Sequence, residues 1–163
     1  MPQNQHRHDE YQMSDGHYGR LASMAILSFI AMYILMYAMV NSPSNVLANI
    51  NQVYMAGLMV APMVIIELAL MGKMYRRKLW NVAIIVASLV IGVMFWFGIR
   101  RQIAVGNRQF LRSMIPHHAG AILMCQHAKI TGAEITRLCG EIIQSQRSEI
   151  DQMKVMLDRG AGQ

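Results

Sequence analysis

Three long runs, almost free of charge, fill most of the first hundred residues and limit what this chain can become. Leu21–Val40 holds no charged residue, Val53–Met74 is interrupted only by Glu67 and Lys73, and Leu79–Ile99 has Asn81 as its most polar member. A helix needs about 20 apolar residues to cross a hydrocarbon core. In that medium the backbone must satisfy its own hydrogen bonds, which a helix does. The first run is longer than the h-region of a signal peptide, about 7–15 residues, so it reads as a retained anchor. Composition agrees: 54% of residues are hydrophobic and 15% charged, against roughly a quarter charged in soluble domains. The net charge of +6 is scattered and flanks the apolar runs, with no nucleic-acid motif beside it, so it bears on membrane orientation and not on nucleic acid.

The expected organisation is all-α. Residues 1–19 form a polar tail, expected to be disordered at its start; His6, His8 and His17 lie on it and could bind metal, though a solvated tail is the simpler reading. Residues 20–100 form a membrane domain with spans at about 21–40, 53–74 and 79–99, and residues 101–163 form an extramembrane antiparallel helical hairpin. The connection at 41–52 is uncharged and contains Pro43, whereas the next is Tyr75-Arg76-Arg77-Lys78. Positive loops stay cytoplasmic. That places the N-terminus inside and the hairpin outside, although Arg100 and Arg101 sit against the rule. The bilayer expected is the cytoplasmic (inner) membrane of a bacterium, with the hairpin periplasmic or extracellular.

In the hairpin, Asn107 is expected to cap a helix running to about Ala128, Thr131-Gly132 makes the turn, and a second helix runs from about Ala133 to Leu157 before Gly160 stops it. At about 100° per residue, Met114, His118, Ala121 and Cys125 share one stripe, with His117 and Met124 on its flank. Ile135, Cys139, Ile142, Gln146 and Met153 form the stripe on the second helix. Antiparallel partners across this turn should have residue numbers summing to about 264, which sets Cys125 against Cys139 and His118 against Gln146. Pro116 removes a hydrogen bond to the Arg112 carbonyl and can bend the first helix. Two helices bury little by themselves, so the hairpin should dock on the spans or pair with a second hairpin, a homodimer or higher homo-oligomer closing a four-helix bundle.

The segments SMIPHHAGAILMC and EITRLCGEIIQSQRSEIDQMKVML resemble the domain of unknown function family 305, whose hallmark is a Met-Ile-Pro-His-His segment on a helical hairpin. The resemblance covers about residues 105–158, and the methionine-rich spans look like the membrane-anchored branch of that family. It implies a ferritin-like architecture and an association with copper binding and resistance. Met114, His117 and His118 match the hallmark; Met124, Met153 and Met156 fall where members often carry methionine; Cys125 and Cys139 look like the pair of the membrane-anchored branch. Many relatives carry two hairpins, whereas this chain has one, which again points to pairing between chains.

Methionine, cysteine and histidine are the donors that copper(I) prefers, and the chain has 16 methionines. The candidate metal ligands are therefore His117, His118, Met114, Cys125, Cys139, Met124 and Met153. Zinc is the competing metal, since it favours Cys and His. Methionine and cysteine are also ordinary core residues, and in an oxidising compartment the two cysteines can instead form a disulfide. A di-iron site is not expected: there is no Glu-x-x-His, and Glu134, Glu141 and Glu149 do not line up with the histidines as that site requires. Within the spans, Met55, Met59 and Met63 share a face, as do Met32, Met36 and Met39, which suits helix packing better than metal transfer. Glu67 is an intramembrane carboxylate, a functional candidate by default, with Lys73 or Asn81 as possible partners. No nucleophile–base pair, phosphate loop or catalytic carboxylate pair appears, so no enzyme is expected. The leading expectation is a copper(I)-binding membrane protein for sequestration, delivery or tolerance, working with a copper-donor or acceptor protein. The alternatives are a structural assembly protein with a polar histidine seam and a small metal transporter subunit.

Overall fold

The computed structural model describes residues 3–160, with side chains from Gly16 onward, and the regular elements among these residues are all helices, with no strand. The helices are α1 (Gln3–Leu35), α2 (Ile50–Leu70), α3 (Lys78–Arg101), α4 (Asn107–His127) and α5 (Ala133–Asp158). Gly16–Met39, Ile50–Leu70 and Lys78–Arg101 are long and apolar enough to cross a membrane. The second span ends at Leu70 and not near Met74, because the chain turns at Met71–Met74 before the basic loop; Lys73 therefore lies in the turn. The polar segment read as a tail continues α1 back to Gln3. Extending a formed helix is far easier than starting one, and the apolar run behind it supplies the nucleus. The side chains of His6 and His8 lie outside the described residues.

The chain divides into two compact units. The first combines α1 up to Tyr33 with Tyr54–Arg101. Small residues let its backbones approach, as expected of helices packed without a hydrophobic driving force. A Cβ on Gly57 would run into the Phe95 ring, one on Gly98 would stand 3.2 Å from the Tyr54 ring, and one on Gly92 would stand 3.1 Å from Ala61. Near the basic loop, Leu21, Val64, Leu68 and Tyr75 are buried together. The Tyr18 hydroxyl donates to Asn81 Oδ1 at 2.6 Å, and Asn81 Nδ2 donates to the Tyr75 carbonyl at 2.8 Å. Asn81 thus ties α1 and the loop to α3 and is not the partner of Glu67. Burial, followed by the nearby Glu67 charge, pushes the Tyr75 hydroxyl above its ordinary pKa. Met55 and Met59 point outward, as large apolar side chains of all three spans do.

The second unit joins residues 34–53 to residues 102–160. α3 gives way to α4 through a turn in which Gln102 and Ala104 adopt left-handed φ values of 49° and 57°. Gly106, not Asn107, takes the N-cap position of α4. The helix then continues through Pro116 to His127 without a break. Gly132 enters α5 at φ 140°, a conformation that favours glycine, and Gly160 follows the helix at φ 73°. Leu111, Ile115, Ala119 and Ile122 of α4 bury against Ile150 and Met153 of α5, and Val40 and Leu47 pack on the same core. The hairpin therefore docks on the loop between the first two spans. That loop contains two 3-10 turns, Met36–Met39 and Pro43–Asn45. Gly120 faces the loop: a Cβ there would stand in ordinary contact with the Met39 carbonyl, at 3.5 Å. Polar bonds reinforce the seam, since Asn51 Nδ2 donates to Ser113 Oγ at 3.2 Å and the Ile50 N–H donates to Gln109 Oε1 at 3.2 Å.

Ile115 is fully buried at the centre of this core. Ile115→Ala should destabilise the second unit by about 2–5 kcal/mol, read by denaturant unfolding in detergent. Arg137→Ala, which removes only the exposed i,i+4 pair with Glu141 at 3.8 Å, should change it by no more than about 0.5 kcal/mol. Equal losses would show that α4 is not the core element.

Candidate functional site

The candidate ligands converge on the α4–α5 seam, but they divide into three groups. At the turn end, Cys125 and Cys139 form a disulfide with a Cα–Cα distance of 5.3 Å. The expected register holds here: the two cysteines face each other across the hairpin. Of the two roles open to them, ligand and staple, this geometry shows the staple. A sulfur bonded to sulfur is not a thiolate donor, so in this form neither cysteine can ligate a metal. The enclosed loop, 14 residues in sequence separation, restricts the unfolded chain by about 3 kcal/mol in the loop-entropy treatment.

About two turns back along α4 lies His118, 9% exposed. Its Nδ1 is 2.8 Å from the Met114 carbonyl, and its Nε2 is 2.7 Å from Glu149 Oε2. A carbonyl only accepts, so Nδ1 carries a proton and donates to it. Nε2 faces the Glu149 carboxylate, so protein groups occupy both ring nitrogens. The other oxygen, Glu149 Oε1, accepts from the Ser145 hydroxyl at 2.7 Å. The Ser145 hydrogen bond, followed by the one from His118, holds the Glu149 carboxyl below its ordinary pKa. This corrects one expectation: His118 pairs with Glu149 and not with Gln146. Glu149 lies one turn beyond Gln146, on the flank of the α5 stripe, and the distance of His118 from the turn lets the crossing of the two helices shift the partner by that turn. The i,i+4 spacing of Ser145 and Glu149 was the available signal in the sequence.

The third group is dispersed. Met153 is buried in the core and Met114 packs on its edge, so both fill space between the helices. His117 is exposed, with its ring centroid 6.4 Å from that of His118. Met124 is 54% exposed and Met156 45%. Glu67 lies partly exposed on α2 in the other unit. Among the described residues, no three His, Cys, Asp or Glu side chains gather closely enough to hold a metal ion.

Because the pKa of Glu149 is lowered in the folded state, its contribution to stability is complete above the ordinary carboxylate pKa of about 4.3. It is lost as pH falls through the lowered value. The melting temperature of the oxidised protein should therefore drop on acidification through this window, and Glu149→Gln should flatten the drop. An identical pH profile for the variant would mean that the pair does not hold the seam.

The family model for a domain of unknown function, DUF305, matches residues 100–157. That segment contains α4, α5 and the turn between them. An uncharacterized protein of Acanthamoeba polyphaga mimivirus is 33% identical over 138 residues, covering 83% of this chain and 89% of that protein, so the similarity extends through the apolar helices as well. No solved structure matches the chain.

Proposed function

The chain belongs to the DUF305 family, and within it we propose a membrane-anchored protein that binds copper(I) through its helical hairpin and serves copper sequestration, delivery or tolerance. The observation that carries this reading is the pair Cys125 and Cys139, set face to face with their Cα atoms 5.3 Å apart. Two thiols so placed close onto each other when oxidised. When reduced by a dithiol donor, they present two soft sulfurs to one ion, a donor pair that suits copper(I). Met124, exposed and adjacent in sequence to Cys125, can add a thioether. Zinc is the rival for a dithiolate. In this reading His118 and Glu149 are positioning residues that hold α5 in register.

The setting we propose is the cytoplasmic membrane of a bacterium, with the N-terminus inside and the hairpin on the outer side. The Arg-Arg-Lys loop supports this orientation. So does a disulfide, which persists in oxidising compartments. The hairpin and the loop between the first two spans form one compact unit, which agrees with a common side for both. A purely structural role is favoured by one observation, the complete hydrogen bonding of the His118 ring.

Copper(I) competition titrations of the detergent-purified chain under anaerobic conditions separate these readings. The reduced protein should bind copper(I) tightly, and both the oxidised protein and Cys125→Ser/Cys139→Ser should lose that binding. Binding by the reduced protein no tighter than by the oxidised one would leave the hairpin as an assembly element. A preference for zinc over copper(I) would overturn the choice of metal.

A further inference from the structure

α2 and α3 approach each other closely at one level, where a Cβ on Gly92 would stand 3.1 Å from Ala61. Small groups meet there, and bulkier neighbours rise on either side as walls: Pro62 and Ile65 of α2, and Leu89, Val93 and Trp96 of α3. The result is an apolar groove of about 490 Å³, within the ~300–1,000 Å³ span of ligand pockets. It runs from Ser88 to Phe97 of α3, about 14 Å along the axis at 1.5 Å per residue. Its walls are open to the surroundings, Leu89 and Val93 each 53% exposed and Trp96 47% exposed. In the proposed membrane setting, the groove opens to hydrocarbon.

One end of the groove is charged. At about 100° per residue, Gly92, Leu89, Trp96 and Arg100 lie on a single face of α3. The guanidinium carbon of Arg100 is 5.9 Å from the centroid of the Trp96 ring, within the range of a cation–π contact. Stacking on a ring orients a guanidinium and leaves its N–H donors free for an anion. Among the described residues no ion pair uses those donors. Glu67 is the sole acidic residue from Gly16 to Ala133, and it lies toward the other end of α2. The first turns of α2 are the ones that pack beside Arg100, as the contact of Tyr54 with Gly98 shows. Arg100 also runs against the rule that keeps basic residues cytoplasmic, so orientation does not account for it.

We propose that this groove holds a phospholipid with an anionic headgroup, one acyl chain lying between α2 and α3 and the headgroup phosphate at Arg100. A guanidinium pairs with two phosphate oxygens at once, and tryptophan belongs at the headgroup level of a bilayer. Basic pockets between membrane helices bind anionic headgroups in this way. Charge selects this occupant over a second copy of the chain. A neighbouring copy in the same orientation brings no carboxylate to the level of Arg100, because its apolar helices carry only Glu67, near the opposite end. It would cover the groove and leave the guanidinium without an anion. The site rests on the membrane reading of the chain and not on its copper chemistry.

Trp96 is itself the reporter, since Trp80 is the only other tryptophan. Full-length Trp80→Phe protein is reconstituted in phosphatidylcholine vesicles. A small, fixed fraction of the lipid is replaced by phosphatidylglycerol or by phosphatidylcholine with brominated acyl chains, which quench tryptophan on contact. Quenching of Trp96 should be several-fold stronger with the brominated anionic lipid. Arg100→Gln should bring the two lipids level. Arg101→Gln removes an exposed charge that lies off the groove face and should keep most of the difference. Equal quenching by the two lipids before any arginine is changed overturns the proposal, because no headgroup is selected. Equal loss in the two arginine variants overturns it as well, because the attraction is then diffuse. Protein that floats with the vesicles yet is quenched by neither lipid has its groove covered by another helix, which also overturns the site. Protein that does not enter vesicles at all removes the membrane reading, and this site with it.

Discussion

The arrangement depends first on what the hydrocarbon interior demands of a backbone. A helix that crosses it must close its own hydrogen bonds, and irregular chain is pushed to its borders. The three apolar helices therefore leave their turns at their ends, where polar side chains can finish the bonding. Tyr18, Asn81 and the Tyr75 carbonyl do this at the basic loop. At the other connection, Gln109 of α4 accepts from the Ile50 N–H, Asn51 donates to Ser113 of α4, and Asn49 donates to Gln52 within the loop. A loop that would otherwise be a bare connection between the first two apolar helices thus becomes a wall of the second unit.

α4 is the element shared by everything in that unit. Its sequence gives each arc a different task. Leu111, Ile115 and Ile122 face the α5 core, Met114 packs on its edge, Gly120 lies beside the loop backbone at Met39, and His117 and Met124 remain exposed. Pro116 fits this division. A missing N–H is tolerable where the helix is enclosed on both sides, because surrounding packing holds the helical path that the lost bond would have held. The bend that the sequence suggests is not needed to make room for a ligand.

The spans, the turn at Thr131-Gly132 and the pairing of Cys125 with Cys139 were legible from the sequence, because each follows from a local rule: run length, a glycine at positive φ, and distance from a tight turn. The partner of His118 was not legible. Counting residues from the turn treats the two helices as parallel rods, and the error grows with distance from the turn. It is nil at Cys125 and amounts to one helical turn at His118, where Glu149 replaces Gln146. The docking of the 34–53 loop was illegible for a different reason. Val40 and Leu47 look like the edge of a span and part of a polar loop, and nothing local announces that they complete a core elsewhere.

The donor residues follow from the same division of α4. A soft metal needs free lone pairs, and burial in a well-packed seam removes them. His118 gives both nitrogens to neighbours, Met153 gives its thioether to the core, and the cysteines give their sulfurs to each other. What holds the hairpin together and what could hold an ion thus compete for one set of side chains. Two kinds of donor on the hairpin escape that competition: those released by breaking a covalent bond, Cys125 and Cys139, and those left exposed, such as His117, Met124 and Met156. In the copper reading, the first kind would tie metal uptake to reduction. The second offers only single donors, because His117 and Met124, seven residues apart, are about 10 Å apart along the helix axis at 1.5 Å per residue.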